Sequence, residues 1–290
     1  MMNCGVIGLG AMGAPIALNL HRAGFLSAVW NRTPARSQRL KASTNVQVAQ
    51  SPADLAARCA LIIISVSRDA DLGDVVHALL PGLRPATVVV DTSTTASQTA
   101  QTMAKIIAAQ GAHFLDAPVS GGVEGARRGT LVMMIGGETA VVEQARAPLS
   151  AIASRMVHMG PIGSGQATKA VNQIMAAGIN QAVTEALAFG RAMGLPMDKV
   201  VDVVRGGAAG NWFLEHRGLT MLTGQFEPGF QVALHHKDLN ICKAMAEANG
   251  FAAPSVVQNT LADYGSLMRE GWGQEDISAL FRLKERWYQR

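Results

Sequence analysis

Two patterns of apolar and polar positions divide the chain. Up to about residue 160, uninterrupted apolar runs of strand length alternate with stretches whose apolar residues recur at helical spacing. Beyond it, only the helical spacing persists. Leu61-Ile62-Ile63-Ile64-Ser65-Val66 is a continuous run of the kind found in strands covered on both faces, as in parallel sheets. The pattern predicts strands over 6–9, 27–30, 46–48, 61–66, 87–91, 113–117, 131–135 and 156–158. Between them it predicts helices. One carries Met12, Ile16 and Leu20 and ends at Ala23-Gly24, with Gly24 as the residue that leaves the helix. The next two open on Thr33-Pro34 and Ser51-Pro52, each a capping residue followed by proline at the first helical position. Others cover 69–80, stopped by Pro81-Gly82, then 95–110 and 138–151. Strands alternating with helices imply a doubly wound α/β sheet of the Rossmann type.

Gly160-Pro161-Ile162-Gly163-Ser164-Gly165 is a cluster of helix and strand breakers and marks a boundary. It predicts a first domain over 1–162 and an all-helical second domain over 163–290. The second domain opens on a helix over 166–193, roughly 40 Å long at 1.5 Å per residue, which could join the two domains. Helices over 196–204, 232–249, 254–269 and 275–287 follow. Their apolar faces exceed what one small domain can cover, which implies association into oligomers.

Composition narrows the class. The chain has 290 residues, 49% apolar and 16% charged, with a net charge of +4 and no basic tract. That argues against a nucleic-acid-binding protein and favours anionic small ligands. Cys4, Cys59 and Cys242 are far apart in apolar contexts, with no zinc spacing, as expected of reduced thiols in a cytosolic protein. The N-terminus runs directly into a core strand, so no signal peptide is expected. No apolar run reaches the ~18 residues of a spanning helix, so no membrane partner is expected.

The chemistry begins at Gly8-Leu9-Gly10-Ala11-Met12-Gly13, between the first strand and the first helix. Strand, G-x-G-x-x-G, helix is the order of a dinucleotide fingerprint. Gly8 permits the tight turn, Gly10 lets a diphosphate approach the backbone, and Gly13 lets helix and strand pack closely. The helix N-terminus offers unpaired N–H groups to the diphosphate. The second strand ends at Asn31-Arg32-Thr33, where an NAD-binding chain usually carries Asp or Glu for the ribose hydroxyls. With no carboxylate there, a guanidinium and a hydroxyl are placed to take a 2′-phosphate. NADP(H) is therefore expected over NAD(H), with NAD possible.

Loops at the carboxyl ends of the strands should line the ligand crevice. They place Val66, Ser67, Thr94 and Ser120 beside the glycine turn. The stretch 116–126, Asp-Ala-Pro-Val-Ser-Gly-Gly-Val-Glu-Gly-Ala, can present the Ser120 hydroxyl and the bare amides of Gly121 and Gly122 to a carboxylate or phosphate. Equally, it can be a corner that only reverses the chain. Lys169, Asn172 and Gln173 share one face near the start of the long helix. A lysine there can protonate a developing alkoxide if burial or a nearby cation lowers its pKa; otherwise it is an ordinary surface lysine.

With these residues in view, the chain resembles the β-hydroxyacid dehydrogenases, which include 3-hydroxyisobutyrate dehydrogenase and tartronate semialdehyde reductase. The match runs in order through the stretch 5–13, then Asp116-Ala117-Pro118-Val119-Ser120-Gly121-Gly122, Gly165-Gln166-Ala167-Thr168-Lys169-Ala170-Val171-Asn172, and Lys237-Asp238-Leu239. The resemblance implies that Lys169 is the catalytic acid/base. It implies that Ser120, Gly121 and Gly122 bind the substrate carboxylate, with Asn172 helping. It further implies that Thr94 and Lys237 approach the nicotinamide, and that the protein is a homodimer or homotetramer. Val66-Ser67-Arg68 departs from the family, which often has an apolar residue and then proline after the fourth strand. Trp212 and Phe230 fall where the family varies, and either wall the substrate pocket or pack the core. His235 and His236 point in different directions on their helix, and no metal site is expected.

The expected activity is NADP-dependent interconversion of a small 3-hydroxy acid and its semialdehyde. An imine reductase would share the architecture, but generally lacks the lysine. A non-catalytic NADP-binding module would be free to lose both the lysine and the anion loop, and this chain keeps both.

Overall fold

The computed structural model describes residues 2–288. The chain forms two compact units, Met1–Lys169 and Ala170–Arg290.

The first unit runs β1 (Cys4–Ile7), α1 (Gly13–Arg22), β2 (Leu26–Trp30), α2 (Pro34–Thr44), β3 (Gln47–Val48), α3 (Pro52–Ala56), β4 (Leu61–Ile64), α4 (Asp69–Leu79), β5 (Val88–Asp91), α5 (Ser97–Ala108) and β6 (His113–Asp116). It continues through β7 (Val119–Ser120), α6 (Gly122–Arg128), β8 (Leu131–Gly136), α7 (Thr139–Leu149) and β9 (Ala153–Gly160) into the start of α8 (Ser164–Ala192). Strands lie in the order β3-β2-β1-β4-β5-β6, all parallel to their neighbours. β8 then pairs antiparallel with both β6 and β7, and β9 runs parallel to β8. The chain winds outward from β1 to β3 and returns to β4 on the other side of β1. That reversal is a topological switch point, with a crevice outside the carboxyl ends of β1 and β4.

The two-residue period of the strands decides which face each apolar side chain serves. Leu61 and Ile63 pack in one core with Ile16 and Leu20 of α1 and Val141 and Ala145 of α7. Ile62 and Ile64 pack in the other with Leu55 of α3, Leu72 and Val76 of α4 and Ile107 of α5. All four residues of β4 are fully buried. Burial of each contributes about 2–3 kcal/mol, so β4 is the spine of the sheet.

Local departures from the expected elements have local causes. β1 ends at Ile7, not at 9, because Gly8 takes φ +89° and turns the chain out of the sheet. The glycine-rich stretch after β6 contains α6, closed by Gly129 at φ +68°. Its glycines, poor helix formers, conceal it from a propensity reading.

In the second unit, α8 continues and is followed by α9 (Met197–Arg205), α10 (Trp212–Leu222), α11 (Val232–Ala248), α12 (Ser255–Arg269) and α13 (Leu280–Arg286). Leu187, Phe213, Leu214, Leu239, Tyr264, Leu267 and Phe281 form its core. Helix α10 has no counterpart in the sequence expectation. Asn211 starts it, accepting the Leu214 N–H at 2.9 Å. The single helix expected over 275–287 is instead a 3₁₀ turn, Ile277–Ala279, leading into α13. Asp276 causes the break: its buried carboxylate accepts the N–H groups of Gly229, Phe230 and Ser278 and pairs with Arg217. Among the described residues no helix is long and apolar enough to cross a membrane. Cys4, Cys59 and Cys242 are buried free thiols. Burial pushes the Cys4 thiol up to about 12.

Candidate active site

The three glycines of the first turn have different jobs. A Cβ on Gly8 would fall 2.1 Å from the Ser65 carbonyl oxygen, and one on Gly13 would fall 1.8 Å from that of Gly8. Both glycines are demanded by the fold. A Cβ on Gly10 would meet only Arg36 Nη1, at 3.7 Å. The space above Gly10 is therefore open, and a diphosphate can come close to the backbone there. α1 begins without a side-chain cap at Met12 and without an acid in its first turn. The Ala14 N–H already bonds the Gly10 carbonyl at 3.2 Å and Pro15 has no N–H, so a ligand is left the amides of the turn ahead of them, which no side chain caps. These features fit a dinucleotide.

Asn31 ties the tip of β2 to this turn. Its Oδ1 accepts the Leu9 N–H at 2.8 Å, and its Nδ2 donates to the Thr33 carbonyl at 3.0 Å. The Leu9 amide is thus engaged within the protein. Arg32 extends into solvent, its side chain 80% exposed, and pairs with Asp71 of α4 at 2.9 Å. Asp71 and Arg36 escape a sequence reading because each looks like an ordinary charge in a first helical turn. Val66 flanks Gly8, and its N–H donates to Ser93 Oγ at 2.9 Å. Ser67 is exposed beside it.

At the ends of β5 and β6 two buried carboxylates face each other in register, Asp91 and Asp116. Asp91 accepts the Ser93 N–H at 2.9 Å and a longer bond from the Thr95 hydroxyl at 3.4 Å. Burial pushes its carboxyl up to about 7, with the Asp116 charge adding to the rise. Asp116 is raised by burial as well, though the amides it accepts oppose the shift. One of its oxygens takes the Gly163 N–H at 2.8 Å, the other the Gln166 N–H at 2.9 Å. Asp116 therefore serves as the cap of α8. Gln166 reaches back: its Oε1 accepts the Thr95 N–H at 3.1 Å, and its Nε2 donates to the Ser93 carbonyl at 2.9 Å. Thr94 lies between those two groups. Lys169 follows one turn further along α8 and is 8% exposed.

Ser120 ends β7, and Gly121 and Gly122 follow at φ +120° and +60°. Both glycines are exposed, and no L side chain would adopt either conformation readily. The chain thus opens bare backbone to solvent as α6 begins.

In the second unit Asn172 Nδ2 donates to Gln173 Oε1 at 2.8 Å, and Gln173 Nε2 donates to Asp238 at 2.6 Å. The other oxygen of Asp238 pairs with Lys237 at 2.8 Å. Asp238 is the hub that links the two resemblance-derived residues, Asn172 and Lys237. His235 is buried in a separate network, with Nδ1 3.0 Å from the Tyr264 hydroxyl and Nε2 3.2 Å from the Gln173 carbonyl. Burial pushes the Tyr264 phenol far up. It therefore donates to Nδ1, which leaves Nε2–H to donate to the carbonyl. Trp212 is mostly exposed and stacks on His216 with ring centroids 4.3 Å apart, while Phe230 packs against His235. Among the described residues no three His, Cys, Asp or Glu side chains cluster to hold a metal.

Known proteins match along nearly the full length. Residues 3–160 match the family model of the NAD binding domain of 6-phosphogluconate dehydrogenase. Residues 163–284 match that of the NAD-binding domain of NADP-dependent 3-hydroxyisobutyrate dehydrogenase. The 2-hydroxy-3-oxopropionate reductase of Escherichia coli is 33% identical, with 98% of this chain and 97% of the relative covered. The NAD-dependent L-serine dehydrogenase of Pseudomonas aeruginosa is 32% identical, with 98% of each covered. The structure of Mycobacterium tuberculosis 3-hydroxyisobutyrate dehydrogenase with L-serine superposes with a TM-score of 0.89 at 29% identity, covering 98% of this chain and 99% of the other. With the glycine turn, the switch-point sheet and the lysine-bearing helix in place, these matches show that the chain belongs to the β-hydroxyacid dehydrogenase family of NAD(P)-dependent oxidoreductases.

Proposed function

We propose that the protein interconverts a small 3-hydroxy acid and its semialdehyde, with NADP(H) preferred over NAD(H) and Lys169 as general acid/base. The observation that carries this is the placement of Lys169. It is a buried lysine on a helix whose first turn is fastened to the carboxyl ends of β5 and β6, the side of the sheet where ligands bind in this architecture.

The turn over Gly8, Leu9, Gly10, Ala11, Met12 and Gly13 holds the dinucleotide diphosphate. Asn31 braces that turn, and Arg32 and Thr33, with Arg36, take the 2′-phosphate. Val66, Ser67 and Thr94 line the nicotinamide end, and Lys237 is assigned there by resemblance. NADPH, when bound, supplies the hydride. The Ser120 hydroxyl and the amides of Gly121 and Gly122 hold the substrate carboxylate, and Asn172 is assigned to the substrate by resemblance. As the aldehyde carbon accepts hydride, the Lys169 ammonium donates a proton to its oxygen; in oxidation the neutral amine removes that proton from the hydroxyl.

The working form is proposed as a homodimer or homotetramer. Val171, Met175 and Ile179 recur every fourth residue and form an exposed apolar stripe along α8. Light scattering of the purified protein reads its mass directly.

The test is NADPH oxidation against a panel of small semialdehydes and glyoxylate, repeated with NADH. Turnover of a semialdehyde with NADPH well above NADH supports the reaction and the role of Arg32. Strong nucleotide binding without turnover on any member of the panel refutes the reaction.

A further inference from the structure

Gln166 belongs to none of the roles above, yet it is one of the most engaged side chains in the first unit. It is 1% exposed. Its side-chain amide pairs with the two main-chain groups that flank Thr94, accepting from the Thr95 N–H and donating to the Ser93 carbonyl. An amide bonded on both edges cannot rotate without breaking both bonds, so the orientation of the Thr94 segment is set by Gln166. Its own N–H is held by Asp116, whose second oxygen holds Gly163. The first turn of α8 is therefore clamped from both sides, to β6 through Asp116 and to the loop after β5 through Gln166. Lys169 sits three residues on, and positions i and i+3 share a helix face.

A core glutamine could meet its hydrogen-bonding needs anywhere. This one spends both ends of its amide on the segment bearing Thr94 while sitting one turn from the lysine. We infer that Gln166 is a positioning residue for the reaction: it fixes the distance between Lys169 and the Thr94 loop, so that the proton donor and the nicotinamide end of the cofactor are held in one register. This inference rests on the reading of Lys169 as the acid/base.

The test uses Gln166→Met, which keeps the length and removes both bonds, and Gln166→Glu, which keeps the acceptor for Thr95 and loses the donor to Ser93. Loss of register of an ångström costs about a hundredfold in rate. Gln166→Met is therefore expected to lower kcat by about 10- to 100-fold, with Gln166→Glu between it and the wild type. NADP⁺ Kd, from calorimetry, is expected to stay within about threefold, because the diphosphate turn is untouched. The primary deuterium isotope effect on kcat, with NADPH deuterated at the transferred position, is expected to rise, since misaligned chemistry becomes the slow step. A purely structural role predicts something else: kcat falls only in proportion to the titrated nucleotide sites, with the isotope effect unchanged. That result overturns the inference.

A second readout needs no turnover. Reductive methylation of Lys169 by formaldehyde and borohydride, followed by mass spectrometry, is expected to change in rate severalfold in Gln166→Met, and an unchanged rate overturns the inference. If the wild-type enzyme reduces nothing on the panel, the reaction reading fails by itself and the labelling rate alone decides the role of Gln166.

Discussion

Gly10→Ala separates a glycine kept for the fold from one kept for a ligand. The methyl group would find its nearest neighbour, Arg36 Nη1, at 3.7 Å, an ordinary contact, and Gly10 is absent from the glycines with positive φ. Folding should not suffer. Alanine at a compatible position stabilises by about 0.4–1 kcal/mol through the unfolded chain. Gly13→Ala is the contrast. Its methyl would lie 1.8 Å from the Gly8 carbonyl oxygen, backbone against backbone, and overpacking of that kind costs about 1–3 kcal/mol or more. A bound diphosphate changes the account at Gly10. Its oxygens would need to come within about 2.9 Å of the amides they accept from, and the new methyl would occupy that approach. We expect Gly10→Ala to weaken NADP⁺ by about a hundredfold, equivalent to about 2.7 kcal/mol. Its nucleotide-free Tm should match or slightly exceed the wild type, while Gly13→Ala should lose Tm outright. Thermal melts and titration calorimetry on the three proteins suffice. NADP⁺ binding within threefold of wild type in Gly10→Ala would refute the placement of the diphosphate on this turn.

Further outcomes are expected at neighbouring charges. Lys169→Ala should abolish turnover while leaving the NADPH Kd within about twofold; a variant that kept most of its rate would end the acid/base assignment. Asp71→Asn releases Arg32 from its exposed ion pair and removes a negative charge near the expected 2′-phosphate. At a separation of roughly 6 Å in water each unit of repulsion is about 0.7 kcal/mol, so NADP⁺ should tighten by about three- to tenfold with NAD⁺ unchanged. Calorimetry showing equal gains for both nucleotides would count against the phosphate role of Arg32. Asp91→Asn tests the buried carboxylate. With the folded pKa raised to about 7 from 3.8, Asp91 favours folding most below the unfolded value and loses that contribution as pH rises through about 7. Asn cannot ionise, so its Tm advantage over wild type should grow between pH 4 and pH 8, and a pH-independent difference would contradict the shift.

Much of the fold was legible because apolar periodicity reports burial directly. The run at 61–66 announced a strand covered on both faces, and β4 is the fully buried spine of the sheet. The turn at Gly8 and the helix stop at Gly24 were legible because both positions take positive φ, which glycine alone adopts freely. What escaped were elements that the local propensities do not announce. α6 hides in glycines, and the break before α13 is made by Asp276, which binds amides of residues 229 and 230.

The sequence by itself determined the alternation of strands and helices, the glycine turn and the family, since each is written in neighbouring residues. Only the tertiary structure decided the partners of the polar groups. It set Asp71 against Arg32, Asn31 on the Leu9 amide and Gln166 across the Thr94 segment, pairs separated by 22 to 73 positions. The spacing of a polar group along the chain carries no record of which distant segment folding will bring within about 3 Å of it.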